Sequence, residues 1–343
     1  MNSSSCASFP EFAALTKKSI SGRIAAIFRE NRAMFANLPD MGDWLVAEME
    51  DFAGSGKMLR GALAFVGSRL FGGAEKEAET ETISLAAGLE LLQAGLLVHD
   101  DIMDGADTRR GRETVHKKWD ENIAILVGDE LMGIAYKVLL NTHVGDLREL
   151  ISVFTDGVIE VCEGQSYDKE FEAAPQVSEA QYLMMIGKKT GWLVAISAHL
   201  GAIIGGATPA QTQALLAYAR HIGRAFQVQD DLLDAVAEEE EFGKPVGADI
   251  LEGKKTYLLV TAMDRAEGDD LALLRRVATR QESREDLVPR IRALYRRMGI
   301  LELARQRIEE DTAAAIRALD ALPATEGRGM LVWLAHMLLD RKH

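Results

Sequence analysis

Apolar residues recur at three- and four-residue intervals along most of the chain. Between Ser21 and Glu50 they fall at Ile24, Ile27, Phe28, Met34, Phe35, Trp44, Leu45 and Met49, with a break near Pro39-Asp40. That spacing predicts helices. The same period predicts helices over 58–70, 81–104, 122–141, 147–164, 178–204 and 209–237. Charge-rich amphipathic helices follow Lys255 to about residue 320, and a last apolar helix spans Met330 to Leu339. The 81–104 segment is apolar on nearly all sides, the pattern of a helix in the middle of a bundle. Thr208-Pro209-Ala210-Gln211 has the parts of a helix start: Thr as N-cap, Pro in the first turn, Gln in capping-box position. No useful strand alternation, fixed-period repeat or long linker interrupts this. The expectation is one all-α domain over residues 1–343, a bundle of ten or more helices, with residues 1–20 a weakly patterned, flexible N-terminus.

One stretch stands apart from ordinary amphipathic design. The apolar run Glu90-Leu-Leu-Gln93-Ala-Gly95-Leu96-Leu-Val-His99 ends in Asp100-Asp101-Ile102-Met103-Asp104, then Gly105, then Arg109-Arg110-Gly111. On a helix Asp100 and Asp104 share one face, and Gly105 suits a helix C-terminus. The carboxylates then sit at the negative end of the helix dipole, disfavoured by roughly 0.3–1 kcal/mol each when exposed. A structural reading dislikes that placement; a cation-binding reading explains it. The same Asp-Asp-x-x-Asp spacing returns at Asp230-Asp231-Leu-Leu-Asp234, again ending an apolar helix, after Phe226-Gln227. One such cluster reads as a solvated helix end, whereas two joined to core helices read as ligands. Six aspartates converging on one cavity repel unless cations fill it, and hard carboxylate oxygens suit Mg²⁺, usually completed by substrate phosphates.

Bulk charge sharpens this. The chain has 343 residues, a net charge of −14 and 48% hydrophobic residues. Its field repels nucleic acid and anionic membranes, so an anionic substrate must be held by local cations or metal. Candidate cations lie beside both clusters: Lys57 and Arg60 in Gly56-Lys57-Met-Leu-Arg60, Arg109 and Arg110, Lys188-Lys189-Thr190, Lys244, and Lys254-Lys255. Each alone reads as a solvated charge; together they suit phosphates, Arg as a fork and Lys as a point charge. Residues 238–245 read equally as a lid or a plain connector. Cys6 and Cys162 make no disulfide framework and fit a reducing compartment; the first residues lack signal-peptide character, so a cytoplasmic protein is expected. Thr190 to Ala219 carries no charge, but its apolar part is about fifteen residues, short of the ~20 that span a bilayer. There is no metal-spaced His/Cys cluster, and His99 reads as a satisfied structural residue.

These motifs, in this order, resemble the trans-isoprenyl diphosphate synthases, the polyprenyl synthetases. The likeness rests on Asp100–Asp104, Asp230–Asp234, Gly56-Lys57-Met-Leu-Arg60, Arg109-Arg110-Gly111, Lys189-Thr190, Phe226-Gln227-Val-Gln-Asp230-Asp231, Gly243-Lys244-Pro245 and Gly253-Lys254. It implies an isoprenoid synthase fold around a deep central cavity, acting as a homodimer and condensing isopentenyl diphosphate head-to-tail with dimethylallyl, geranyl or farnesyl diphosphate. It further implies about three Mg²⁺ held by Asp100, Asp104 and Asp230, with Asp234 outside them. Arg109, Lys189 and Lys254, with Lys244 close by, would meet the allylic diphosphate; Lys57, Arg60, Gln93 and Arg110 the isopentenyl diphosphate; Thr190 and Gln227 the reacting centre.

The sequence departs from the family at informative places. Gln93 and Gly61 look like farnesyl-type synthases, but those carry aromatics four and five positions before the first Asp, where this chain has Leu96 and Gly95. With a helix rising about 5.4 Å per turn, the missing floor opens about one isoprene unit, and Leu92 is the next candidate floor. A geranylgeranyl (C20) or somewhat longer product is expected, with Gly95→Phe shortening it; a farnesyl product is the alternative. A terpene cyclase or a regulatory subunit of a hetero-oligomeric synthase fits less well, since the chain keeps a full basic set and both aspartate motifs.

Overall fold

In the computed structural model, residues 9–32, 43–54, 56–73, 75–236, 247–282 and 286–339 are described, and they are helical almost throughout. α1 (Phe9–Arg32), α2 (Asp43–Gly54), α3 (Leu59–Leu70) and α4 (Lys76–Asp104) precede a hairpin of β1 (Thr108–Arg109) and β2 (Arg112–Glu113). There follow α5 (Val115–Lys118), α6 (Glu121–Leu140), α7 (Leu147–Ala173), α8 (Glu179–Ile186), a π-helical turn (Gly187–Gly191), α9 (Trp192–Gly205) and α10 (Pro209–Val236). Then come α11 (Ala248–Leu251), α12 (Tyr257–Arg265), α13 (Gly268–Ala278), α14 (Leu287–Arg297), α15 (Ile300–Ala318) and α16 (Glu326–Leu339).

The Thr208 capping box forms as its sequence predicts: Thr208 N–H donates to Gln211 Oε1 at 2.8 Å, and Gln211 N–H to Thr208 Oγ1 at 3.4 Å. Three expectations are corrected. The flexible N-terminus does not extend to residue 20, because α1 starts at Phe9 and buries Phe12, Thr16 and Ile20; Thr16 hides its polarity by donating to the Phe12 carbonyl at 3.0 Å. The predicted 178–204 helix is divided by the π-helical turn. A short antiparallel hairpin occurs where no strand was expected, with Thr108 opposite Glu113 and Arg109 opposite Arg112. Its turn residues, Arg110 and Gly111, both have positive φ (55° and 75°), the signature of a two-residue type I′ turn whose twist matches the flanking strands.

Contacts group the chain into two compact units. Unit 1 comprises residues 1–154, 197–212 and 323–330; unit 2 comprises 155–196, 213–322 and 331–343. In unit 1, α4 packs chiefly against α6 and α3; Leu85, Leu89 and Leu92 of α4 and Val127 and Leu131 of α6 are all fully buried. α4 is long and apolar enough to cross a membrane on length and composition, but 72% of that apolar window is buried inside the structure. It reads as a core helix. In unit 2 a single core unites Phe171, Tyr182, Ile186, Val228, Leu232, Tyr257, Leu274, Ile291, Tyr295 and Ile308.

Close backbone approach, rather than side-chain bulk, sets the crossing of α3 with residues 197–205 of α9. A Cβ on Gly201 would stand 1.9 Å from the Ala64 carbonyl oxygen, and one on Gly67 would stand 2.3 Å from that of Ala198. Backbone cannot give way as a flexible side chain does. Gly201→Ala is therefore expected to destabilise the protein by about 1–3 kcal/mol, read as a lowered melting temperature by circular dichroism; an unchanged melt would refute the packing argument.

Candidate active site

The first acidic cluster closes α4. Gly105 takes the left-handed conformation (φ 63°, ψ 27°) and its N–H donates to the Asp101 and Ile102 carbonyls, and the last turn holds no basic residue. Asp104 is exposed and Asp100 half-buried. Arg109 comes back from β1 to this helix end: its Nε donates to Asp101 Oδ1 at 2.6 Å and its Nη2 to Asp100 Oδ2 at 3.3 Å. Asp101 is only 1% exposed, and burial pushes its carboxyl above the usual range against the pull of Arg109. The middle aspartate thus anchors Arg109. A helix turns residue i+1 about 100° away from i, so Asp101 lies on a different face from Asp100 and Asp104, and packing turns that face inward.

Further basic residues of unit 1, Lys57 and Arg60, stand at the start of α3. Gly56 is buried and Lys57 exposed, and Met58, in the left-handed conformation (φ 54°), starts α3 without a side-chain cap. Glu90 of α4, 7% exposed, accepts from the Gly61 N–H at 2.9 Å. Burial lowers the Arg60 guanidinium pKa, with Glu90 opposing that effect and Arg110 adding to it. Gln93 is half-buried one turn further along α4. Ion pairs of Arg112 with Asp51 and of Lys118 with Glu48 hold the hairpin and α5 to α2.

The second acidic cluster lies in unit 2, where Asp231 again is the buried middle member. The Tyr182 hydroxyl donates to its Oδ2, the Tyr257 N–H donates to the same oxygen at 2.7 Å, and Gln227 Nε2 donates to Oδ1 at 3.2 Å. Burial, and then Asp249, push its carboxyl up to about 7. Asp230 is half-buried and Asp234 8% exposed, the latter pushed up to about 6 by burial and then by Asp249. Thr190 Oγ1 donates to Gln227 Oε1 at 3.1 Å, so the Lys-Thr and Phe-Gln motifs meet in one chain of hydrogen bonds ending at Asp231. Lys189 pairs with Asp168 of α7 at 2.6 Å. That approach depends on Gly164, where a Cβ would stand 2.3 Å from the Lys189 backbone nitrogen. Lys254 is exposed, 3.8 Å from Asp249. Lys255 serves structure: buried, it donates to the Ala278 and Glu172 carbonyls at 2.6 and 3.3 Å. Lys244 and the rest of the 238–245 loop lie outside the described residues, as does Cys6.

Both clusters offer only carboxylate oxygens, the first at the negative end of a helix, a donor set that fits a hard divalent cation. Within neither unit do three or more His, Cys, Asp or Glu side chains gather at metal-binding spacing among the described residues. A bound ion would therefore draw on water and substrate oxygens as well, as Mg²⁺ commonly does.

The chain-length positions receive one correction. Leu92 is fully buried and Leu96 half-buried, but Gly95 faces α6: its Cβ would stand 2.8 Å from the Gly128 carbonyl oxygen and 3.3 Å from Leu131 Cβ. A phenylalanine there would push α6 away before it floored anything. Gly95 lacks an aromatic because two helices touch. His99 is structural, its Nε2–H donating to the Ile125 carbonyl at 3.1 Å.

Asp101, Asp231, Glu90, Asp168 and Tyr182 are not singled out by the sequence reading. The first two were visible as second members of their motifs; for the others only the tertiary fold supplies the signal. Tyr182→Phe leaves Asp231 with one fewer donor, and is expected to cost about 1–3 kcal/mol. A melting temperature equal to that of the unmodified protein would contradict this.

Comparison with known proteins agrees with the geometry. A family model described as polyprenyl synthetase matches residues 43–295. The short chain isoprenyl diphosphate synthase of Methanothermobacter thermautotrophicus is 38% identical over 289 residues, covering 84% of this chain and 87% of its own. The Escherichia coli octaprenyl diphosphate synthase is 32% identical over 95% of this chain and 97% of its own. The geranylgeranyl pyrophosphate synthase from Corynebacterium glutamicum, crystallised with isoprenyl diphosphate and magnesium, superposes with a TM-score of 0.84 at 28% identity, covering 95% of this chain and 98% of that one. The chain belongs to the polyprenyl synthetase family, with its all-α isoprenoid synthase fold, and is a prenyltransferase that makes trans-prenyl diphosphates.

Proposed function

We propose that the protein condenses isopentenyl diphosphate head-to-tail with an allylic diphosphate in a Mg²⁺-dependent reaction, giving geranylgeranyl diphosphate or a somewhat longer product. The observation that carries this reading is the sorting of charge. Oxygen-only acidic clusters end α4 and lie within α10, while a separate set of guanidiniums gathers around α3 and the hairpin. That sorting suits one anion held through metal and a second held without it.

In this reading Asp100, Asp104 and Asp230 would hold about three Mg²⁺, with Asp234 in the outer shell; a relative crystallised with magnesium supports the use of a divalent metal. Bound there, Mg²⁺ supplies Lewis-acid neutralisation of the leaving diphosphate. Arg109, Lys189, Lys244 and Lys254 bind the same diphosphate and aim its C–O bond. Lys57, Arg60, Gln93 and Arg110 hold isopentenyl diphosphate with its double bond towards that carbon. Thr190 and Gln227, already joined at 3.1 Å, line the reacting centre and stay fixed as charge develops. The C–O bond breaks, the isopentenyl double bond forms the new C–C bond, and the departing diphosphate takes the proton lost. No protein nucleophile is needed.

The chain works as one catalytic domain in this reading, and as a homodimer. An apolar stripe on α6 supports the dimer: Leu126 and Leu140, two heptads apart, are 56% and 57% exposed. A cytoplasmic setting would keep the exposed Cys162 thiol reduced.

Incubation of the pure protein with labelled isopentenyl diphosphate, each allylic primer and Mg²⁺ is expected to give a labelled prenyl diphosphate. EDTA should abolish it, and Asp100→Ala should lower turnover by about 10²-fold or more. Lack of condensation with every primer would overturn the reading. Reversed-phase chromatography of the dephosphorylated product reads its length. The test of the floor belongs at Leu96, one residue off the α4–α6 contact. Leu96→Phe is expected to shift the product towards C15, and an unchanged product would remove Leu96 from the tail pocket.

A further inference from the structure

The hydrogen bonds around Gln227 carry a direction as well as a set of partners. α10 and the π-helical turn meet backbone to backbone, since a Cβ on Gly223 would stand 2.4 Å from Gly191 Cα. That contact sets Thr190 beside Gln227, one turn along α10 from Gly223. Thr190 Oγ1 lies 3.1 Å from Gln227 Oε1, and Gln227 Nε2 lies 3.2 Å from Asp231 Oδ1. Asp231, 5% exposed, receives the Tyr182 hydroxyl and the Tyr257 N–H on its other oxygen.

A side-chain amide fits its site either way round, and its neighbours decide which end faces which. Here the carboxylate decides. Burial and then Asp249 oppose its charged form, while the bonds from Tyr182, Tyr257 and Gln227 favour it. A carboxylate only accepts, so Gln227 turns Nε2 to Asp231 and Oε1 to Thr190. The Thr190 hydroxyl answers an oxygen by donating. Its proton is spent on Gln227, and lone pairs are what it has left for a ligand beside it.

We propose that Asp231 is a positioning residue that fixes the Gln227 amide one way round. Through Gln227 it makes Thr190 present lone pairs, not a proton, to the reacting carbon. Tyr182 and the Tyr257 N–H hold Asp231 in turn. This rests on the assignment of Thr190 and Gln227 to the reacting centre. Positive charge grows on the allylic carbon as its C–O bond breaks. A fixed lone pair beside that carbon stabilises the charge, and a hydroxyl proton there opposes it. Asp231 touches no substrate in this role; it acts through two other side chains.

Asp231→Asn keeps the shape and reverses the direction. The new amide's oxygen must stay with the Tyr257 N–H, so its nitrogen donates to Gln227, which then turns Nε2 towards Thr190. The expected result is a kcat lowered about 10²-fold. Both substrate KM values and the Mg²⁺ concentration for half-maximal rate should stay within about threefold of the unmodified protein. Gln227→Glu alone sets two carboxylates face to face and should also be slow. Gln227→Glu/Asp231→Asn restores the direction, because the amide donates to one carboxylate oxygen and Thr190 to the other. The double variant should turn over at least about tenfold faster than either single variant. A kcat within about threefold in Asp231→Asn, or a double variant no faster than Gln227→Glu, would overturn the proposal. A Mg²⁺ requirement raised in step with the loss of rate would assign Asp231 to the metal and refute it too. Thr190→Val tests the underlying assignment: an unchanged kcat there removes Thr190 from the reacting centre, whatever Asp231 does. Should Asp231→Asn fail to fold, the comparison passes to the double variant against Gln227→Glu alone. A gain in kcat supports the proposal there, and a further loss refutes it.

Discussion

A carboxylate removed from water must find donors or a cation, because an uncompensated buried charge costs several kcal/mol. That requirement organises the chemistry-bearing parts of this chain. Asp101, Asp231 and Glu90 are each nearly or fully withdrawn from solvent, and each gathers a donor from an element other than its own. Asp101 collects Arg109 from the hairpin. Asp231 collects Tyr182 from α8, the Tyr257 N–H from α12 and Gln227 from its own helix. Glu90 collects the Gly61 N–H at the start of α3. The more accessible aspartates beside them, Asp100, Asp104 and Asp230, are left at the solvent side of helices whose inner side is already anchored.

Glycine supplies the complementary constraint. At Gly201 and Gly67 two helices approach until only a missing Cβ separates backbone from backbone, and Gly95 does the same between α4 and α6. Gly164 admits the backbone of Lys189, within reach of Asp168. Interiors are close-packed, so such contacts fix where the neighbouring polar groups stand. A position that reads as an empty pocket floor in the sequence can therefore be filled by another helix, as Gly95 is.

The helical architecture was legible because the apolar period is strong and end signals agree with it. Thr208 with Gln211, and Gly105 after Asp104, begin and end helices where the residues say they should. The starting point of α1 was less legible: Phe12, Thr16 and Ile20 are spaced for a helix, but Ser, Thr and Lys between them dilute the pattern, and only packing identifies the buried face. The hairpin escaped because two-residue strands carry no periodicity, although Arg110-Gly111 now explains its turn.

By itself the sequence determined the fold class, the family and the identity of both acidic motifs, since these depend on periodicity and on spacing within a few residues. Only the tertiary structure decided which aspartate of each motif turns inward, which acid accepts from the start of α3, and that Gly95 meets a helix. Those outcomes depend on neighbours tens of residues away, such as Gly61 for Glu90 and Gly128 for Gly95. No local pattern in one chain encodes which distant group will answer a buried charge.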